Sequence, residues 1–141
     1  MKWPVLSSRR ERLDRQRRLG AGEPVELAAR IRRTTTRGWG PWTDGALLLA
    51  ARTGGKSRWW VADPTAIGLT ADQDSDARDF DDVERVTLRD VRFREEAFYG
   101  QGGSIIVVSA DRATMEIALP PAETGEALVR LAASIGPHEL A

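Results

Sequence analysis

Between residues 25 and 119 the apolar positions recur mainly with the period of two that marks strands with one buried face. Val25, Leu27, Ala29 and Ile31 alternate with polar or small neighbours through VELAARIRR, which predicts a half-exposed edge strand with arginine on its outer face. Ala46 to Ala51 (ALLLAA) is apolar on both parities and lies between Gly45 and Gly54-Gly55, as expected of a central strand entering a hairpin turn. Arg58 to Ala62 (RWWVA) resumes beyond that turn. Because strand side chains alternate, Trp59 and Trp60 must point to opposite sides, one into the core and one needing a cover. Pro64 interrupts this run, and Ala66 to Thr70 extends it as a short further piece. Val86 and Leu88 share a parity that shifts to Val91 and Phe93, which places a bulge or tight bend near Arg89-Asp90. Ser104 to Ser109 (SIIVVS) and Met115 to Leu119 (MEIAL) follow, with Met115, Ile117 and Leu119 on one face.

After Pro120-Pro121 the period becomes helical. Leu128, Leu131, Ala132 and Ile135 fall at i, i+3, i+4 and i+7, Glu123 and Glu126 come early, and Gly136-Pro137 closes the run. Residues 34 to 45 mix Gly, Pro and Asp with Trp39 and Trp42 and read as a connection. Residues 71 to 82 form an acidic loop, and Gly100, Gly102 and Gly103 open a second hairpin region. Successive strands followed by one amphipathic helix predict an α+β fold, a strongly bent antiparallel sheet or partly open β-barrel closed by one C-terminal α-helix. This body spans residues 23 to 136, with a short tail over 137 to 141.

Residues 1 to 22 are different in kind. The segment from 7 to 19 holds six Arg and only two large apolar residues, Leu13 and Leu19, before Gly20 and Gly22. That is too little apolar surface for a helix face, and it reads as a basic arm and hinge, solvated and at most transiently helical. The zero formal net charge of the 141 residues conceals this asymmetry. Residues 1 to 40 carry 11 basic against 4 acidic side chains, and the remainder 10 against 17, so +7 faces −7. Trp3 to Leu6 is too short for a secretory h-region, and no run approaches the roughly 18 apolar residues of a membrane span, so a soluble intracellular protein is expected.

The chemistry open to the chain is narrow. It has no Cys and one His, His138, which follows Pro137, and no G-x-S-x-G turn is present to expose a nucleophile. Asp72, Asp74 and Asp76 match the first positions of a calcium loop, but Ala77 stands where the sharp turn needs Gly and Val83 where a bidentate Glu is needed. Gly100-Gln-Gly-Gly leads into a strand, not into the helix N-terminus that a phosphate-cradling loop requires. Carboxylate pairs such as Glu95-Glu96 and Asp81-Asp82 lack an orienting partner in sequence. The reading is therefore non-catalytic, without metal or cofactor.

The run from Gly20-Ala-Gly-Glu-Pro-Val through GALLLAAR, RWWVADPTAIGL and FDDVERVTL to the closing helix resembles the bacterial PH-like and GRAM-like domains, in particular small actinobacterial PH-like proteins of unknown function. The resemblance implies a module for lipid, peptide or protein recognition. The Lys/Arg cluster usual in the first hairpin of phosphoinositide binders is reduced here to Arg52, Lys56 and Arg58.

The expected function is a protein-binding module with attraction to anionic membrane, peripheral to the inner, cytoplasmic face. Nucleic-acid binding through the arm is the alternative, and a third reading has the +7 segment dock on the −7 body, its own or that of a neighbour in a homo-oligomer. The anionic-surface candidates are Arg9, Arg10, Arg12, Arg15, Arg17, Arg18, Arg30, Arg32 and Arg33, and Trp39, Trp42 and Trp60 are candidates for the interaction surface. No aromatic residue interleaves the arginines between 7 and 37, which weighs against base stacking.

Overall fold

Alternation makes Val25–Thr35 strand β1, with every second side chain from Val25 to Ile31 buried, and pairing on both sides places it at the centre of the sheet rather than at an edge. In the computed structural model, which describes residues 9–35, 38–63, 77–80, 83–90, 104–110, 113–133 and 135, β1 pairs on one side with β3 (Thr43–Leu49) and on the other with β8 (Thr114–Ala118). The edge position expected for this strand is thus corrected. Its outer arginines reach acids on the flanking strands, Arg30 to Asp44 and Arg32 to Glu116, so a polar outer face did not mean an open edge.

The remaining strands are β2 (Gly38–Trp39), β4 (Arg58–Val61), β5 (Arg78–Asp79), β6 (Val83–Asp90) and β7 (Ser104–Ala110). Their order is β5-β4-β3-β1-β8-β7-β6, antiparallel at every pairing, with β2 folded back on the end of β1. The sheet curls into a half-barrel closed by the C-terminal helix α2 (Pro121–Ala132), and a second helix, α1 (Arg9–Gly20), precedes β1. The fold is α+β, as the hydrophobic pattern predicts.

The concave face carries Leu27, Ile31, Leu47, Leu49, Ile106 and Ile117, all essentially inaccessible, and α2 covers it with Ala127 and Leu131. Trp59 is buried in this core, and Trp60 lies half-buried on the opposite face, as alternation requires. The irregularity in β6 falls between Val83 and Arg85, where Glu84 is the extra residue, and pairing is continuous from there to Asp90. This irregularity is not the expected one: pairing through Arg89 and Asp90 is regular, and Val91 and Phe93, which carry the expected shift of parity, lie outside the described residues. Residues 64–70, 71–76, 91–103 and 137–141, with the expectations attached to them, lie outside the described residues.

One close approach depends on glycine. A Cβ at Gly45 would stand 2.2 Å from the backbone carbonyl oxygen of Trp60 on the neighbouring β4, a contact that only a glycine hydrogen can make. Gly45→Ala is expected to destabilise by about 1–3 kcal/mol, the usual cost of overpacking. Urea denaturation checks this, and an unchanged midpoint would mean that β4 moves aside freely.

Candidate functional site

The basic segment is a helix, docked at its C-terminal end. Gly22, at φ 77°, ends α1 in a paired turn: Glu23 N–H donates to the Arg18 carbonyl at 3.0 Å and Gly22 N–H to the Leu19 carbonyl at 3.3 Å. Leu19 is its one buried side chain. Beneath it Arg130 of α2, with a side chain 2% exposed, donates to the carbonyls of Leu19 (2.7 Å), Glu23 (2.6 Å) and Ala50 (3.2 Å) and to Glu126 Oε1 (3.0 Å). Arg52 joins the same carboxylate at 2.6 Å, and its backbone N–H donates to the Gly22 carbonyl. Burial pushes the Glu126 carboxyl up, but hydrogen bonds and charge from Arg52 and Arg130 prevail and hold it below its usual value. A composition that favoured a solvated tail is overridden because Arg130, 111 residues away from Leu19 in sequence, supplies the cap.

The arginines of α1 divide by position. Arg15 Nε donates to Glu123 Oε1 at 2.7 Å, an ion pair that is almost wholly buried on the glutamate side. Arg17 and Arg18 share Asp14, lowering its carboxyl pKa through their hydrogen bonds, and both side chains stay exposed in the last turns, where cations suit the helix dipole. Arg9, Arg10 and Arg12 are exposed near the first turn, make no ion pair among the described residues, and have Glu11 as their only acidic neighbour in that turn. A groove of about 240 Å³, lined by Glu11, Asp14, Arg15 and Arg18 from the helix and by residues 24–26, separates α1 from the beginning of β1.

The other candidate arginines lie on β1, apart from this cluster. Arg30 pairs with Asp44 at 3.5 Å. Arg33 follows the concave parity and is half-buried; burial first, and then the charge of Arg78, lower its pKa. Arg32 belongs to a network on the outer face. Its Nε donates to Glu116 Oε1 at 2.6 Å, while Arg89 from β6 reaches Glu116 Oε2 with Nε at 2.6 Å and Oε1 with Nη2 at 2.8 Å. Burial raises the Glu116 pKa, but hydrogen bonds from Arg89 and Arg32 outweigh it and hold the carboxyl below its usual range.

Two tryptophans cover Arg32, the guanidinium lying 4.5 Å from the Trp39 ring centroid and 4.9 Å from that of Trp42. Ile105 and Ala118, on the outer parity, are buried beside this network. Trp39 remains 43% exposed. Trp60 pairs with Ala46 on the same outer face, so the three candidate tryptophans share one side of the sheet, with Arg30 and Arg32 among them.

Sequence reasoning gave no site role to Glu116, Arg89, Glu123, Glu126 or Arg130, which hold these surfaces in place. Glu116 sits on the polar parity of MEIAL, and nothing within five residues announces that it is buried. Arg130 has one local signal, its i,i+4 spacing to Glu126.

Among the described residues no group of three or more His, Cys, Asp or Glu is placed to hold a metal ion, and no helix is long and apolar enough to cross a membrane. No protein-family model, curated protein or solved structure matches the chain.

Proposed function

We propose that this chain is a non-catalytic interaction module that adsorbs to an anionic membrane surface through the first turn of α1 and offers the tryptophan-bearing outer sheet face to a protein partner. The observation that carries the reading is the exposure of Arg9, Arg10 and Arg12 on a helix whose opposite end is clamped to the body. Cations in a first turn oppose the helix dipole, so this cluster works against the helix that bears it and gains from an anionic counterpart. Each basic residue near an anionic bilayer contributes about 1 kcal/mol without insertion. The absence of aromatic residues from α1 favours lipid headgroups over nucleic acid, where stacking would add to phosphate contacts. Kinship with PH-like and GRAM-like domains belongs to the same proposal and draws its support from the half-barrel closed by α2; a place at the cytoplasmic face is part of the proposal too.

Co-sedimentation with phosphatidylcholine vesicles, with and without phosphatidylserine, tests the reading. Binding is expected only with phosphatidylserine, falling as salt rises, and weaker by on the order of 100-fold when Arg9, Arg10 and Arg12 are all replaced by Gln. Salt-sensitive binding to duplex DNA without vesicle binding would transfer the arginines to the nucleic-acid alternative.

A further inference from the structure

Taken alone, α1 is a poor helix. It has 12 residues, near the lower limit for marginal stability, three arginines stand against its dipole, and its one buried side chain lies at the far end. A groove lined by Glu11, Asp14, Arg15 and Arg18 runs between its middle and the start of β1. Arg130 fixes the last turn, but the middle is held to α2 by the contact between Arg15 and Glu123. Glu123 Oε2 is buried and has no hydrogen-bond partner among the described residues, so this contact is set against a desolvation cost.

We infer that Glu123 is a positioning residue for the anionic-surface site: through Arg15 it keeps α1 helical and docked, presenting Arg9, Arg10 and Arg12 as one preorganised cluster. The inference rests on the membrane reading above. An anion at the first turn relieves the conflict between cations and dipole and so stabilises the helix that Glu123 holds. By linkage, docking on Glu123 and binding of the anion strengthen each other to the same degree. Coulomb attraction alone makes the opposite prediction, since removing the negative Glu123 should tighten binding to an anionic vesicle.

The test compares the full chain with Glu123→Gln and with Glu123→Asp, which keeps the charge but shortens the reach to Arg15. Amide hydrogen exchange without vesicles and binding to phosphatidylcholine–phosphatidylserine vesicles are both measured. In each variant exchange over residues 10–18 is expected to quicken about tenfold while β1 and β8 stay protected. Vesicle binding is expected to weaken about three- to tenfold despite the more positive net charge of Glu123→Gln. The swapped pair Arg15→Glu with Glu123→Arg should recover most of both losses. Binding by Glu123→Gln and Glu123→Asp as tight as that of the unmodified chain, or unchanged exchange in α1, would overturn the inference and leave the membrane reading standing. If the unmodified chain ignores the vesicles while Glu123→Gln still loosens α1, both fall together.

Discussion

Replacing Arg130 by Met is expected to lower folding stability by about 3–5 kcal/mol, the range seen when one partner of a buried polar network is removed. The side chain is 2% exposed and joins three backbone carbonyls that belong to the end of α1, the entry to β1 and the exit from β3. Methionine fills much of the volume but leaves those acceptors without their donor, each at a desolvation cost of about 1–3 kcal/mol. Arg52 softens the loss, because it already pairs with Glu126 and its Nη2 stands 3.5 Å from the Leu19 carbonyl. Arg130→Lys should recover little, since an ammonium is a point donor and cannot span carbonyls on three sides. Urea denaturation reads the stability, and amide exchange at residues 21–23 reads the site. A loss under about 1 kcal/mol would mean that Leu19 packing, not the guanidinium, holds α1 in place.

Glu116→Gln is expected to cost a similar 3–5 kcal/mol, for the converse reason. The carboxylate is 5% exposed and holds two guanidiniums, Arg32 and Arg89, that are themselves 14% and 17% exposed. An amide satisfies neither charge. Removing the whole network through Arg32→Met, Glu116→Leu and Arg89→Met should cost much less than the single change, because no buried charge is then left bare. If the triple replacement costs more than Glu116→Gln, the ion network itself stabilises the sheet.

The same residue predicts an acid dependence. Its folded-state pKa lies below the ordinary glutamate value of 4.5, as does that of Glu126. Groups so depressed contribute stability that is fully present above the unfolded value and lost as pH falls through the folded one. The stability gap between the unmodified chain and Glu116→Gln should therefore be constant near neutrality and narrow below about pH 4.5. A gap that stays constant through that range would show that the ionised carboxylate is not what the substitution removes.

Much of the core was legible because burial leaves a local signature. Leu27, Ile31, Ile117 and Leu131 could be assigned from i,i+2 or i,i+4 spacing, and the opposite fates of Trp59 and Trp60 follow from alternation alone. Gly22 could be recognised as a helix terminator, though not as the left-handed residue of a docked helix. The central place of β1 could not, since its outer Arg30 and Arg32 look solvent-directed until Asp44 and Glu116 arrive beside them. The candidate site was half legible. Arg9, Arg10 and Arg12 stand exposed as a charge run predicts, whereas Arg32 of the same candidate set is enclosed between two tryptophans and a glutamate.

The sequence by itself determined the α+β class, the strand-rich body, the closing helix and the basic character of the first forty residues. Each of these is a property of neighbours a few positions apart, where backbone geometry ties spacing to direction. Tertiary structure alone decided where and through which residues α1 docks, that β1 is central and that Glu116 and Arg130 are buried. Those outcomes rest on pairs such as Arg32–Glu116 and Arg130–Leu19, separated by 84 and 111 residues. A charged side chain enters the interior only when its partner is delivered there, and chain closure over such distances leaves no periodic trace in the local sequence.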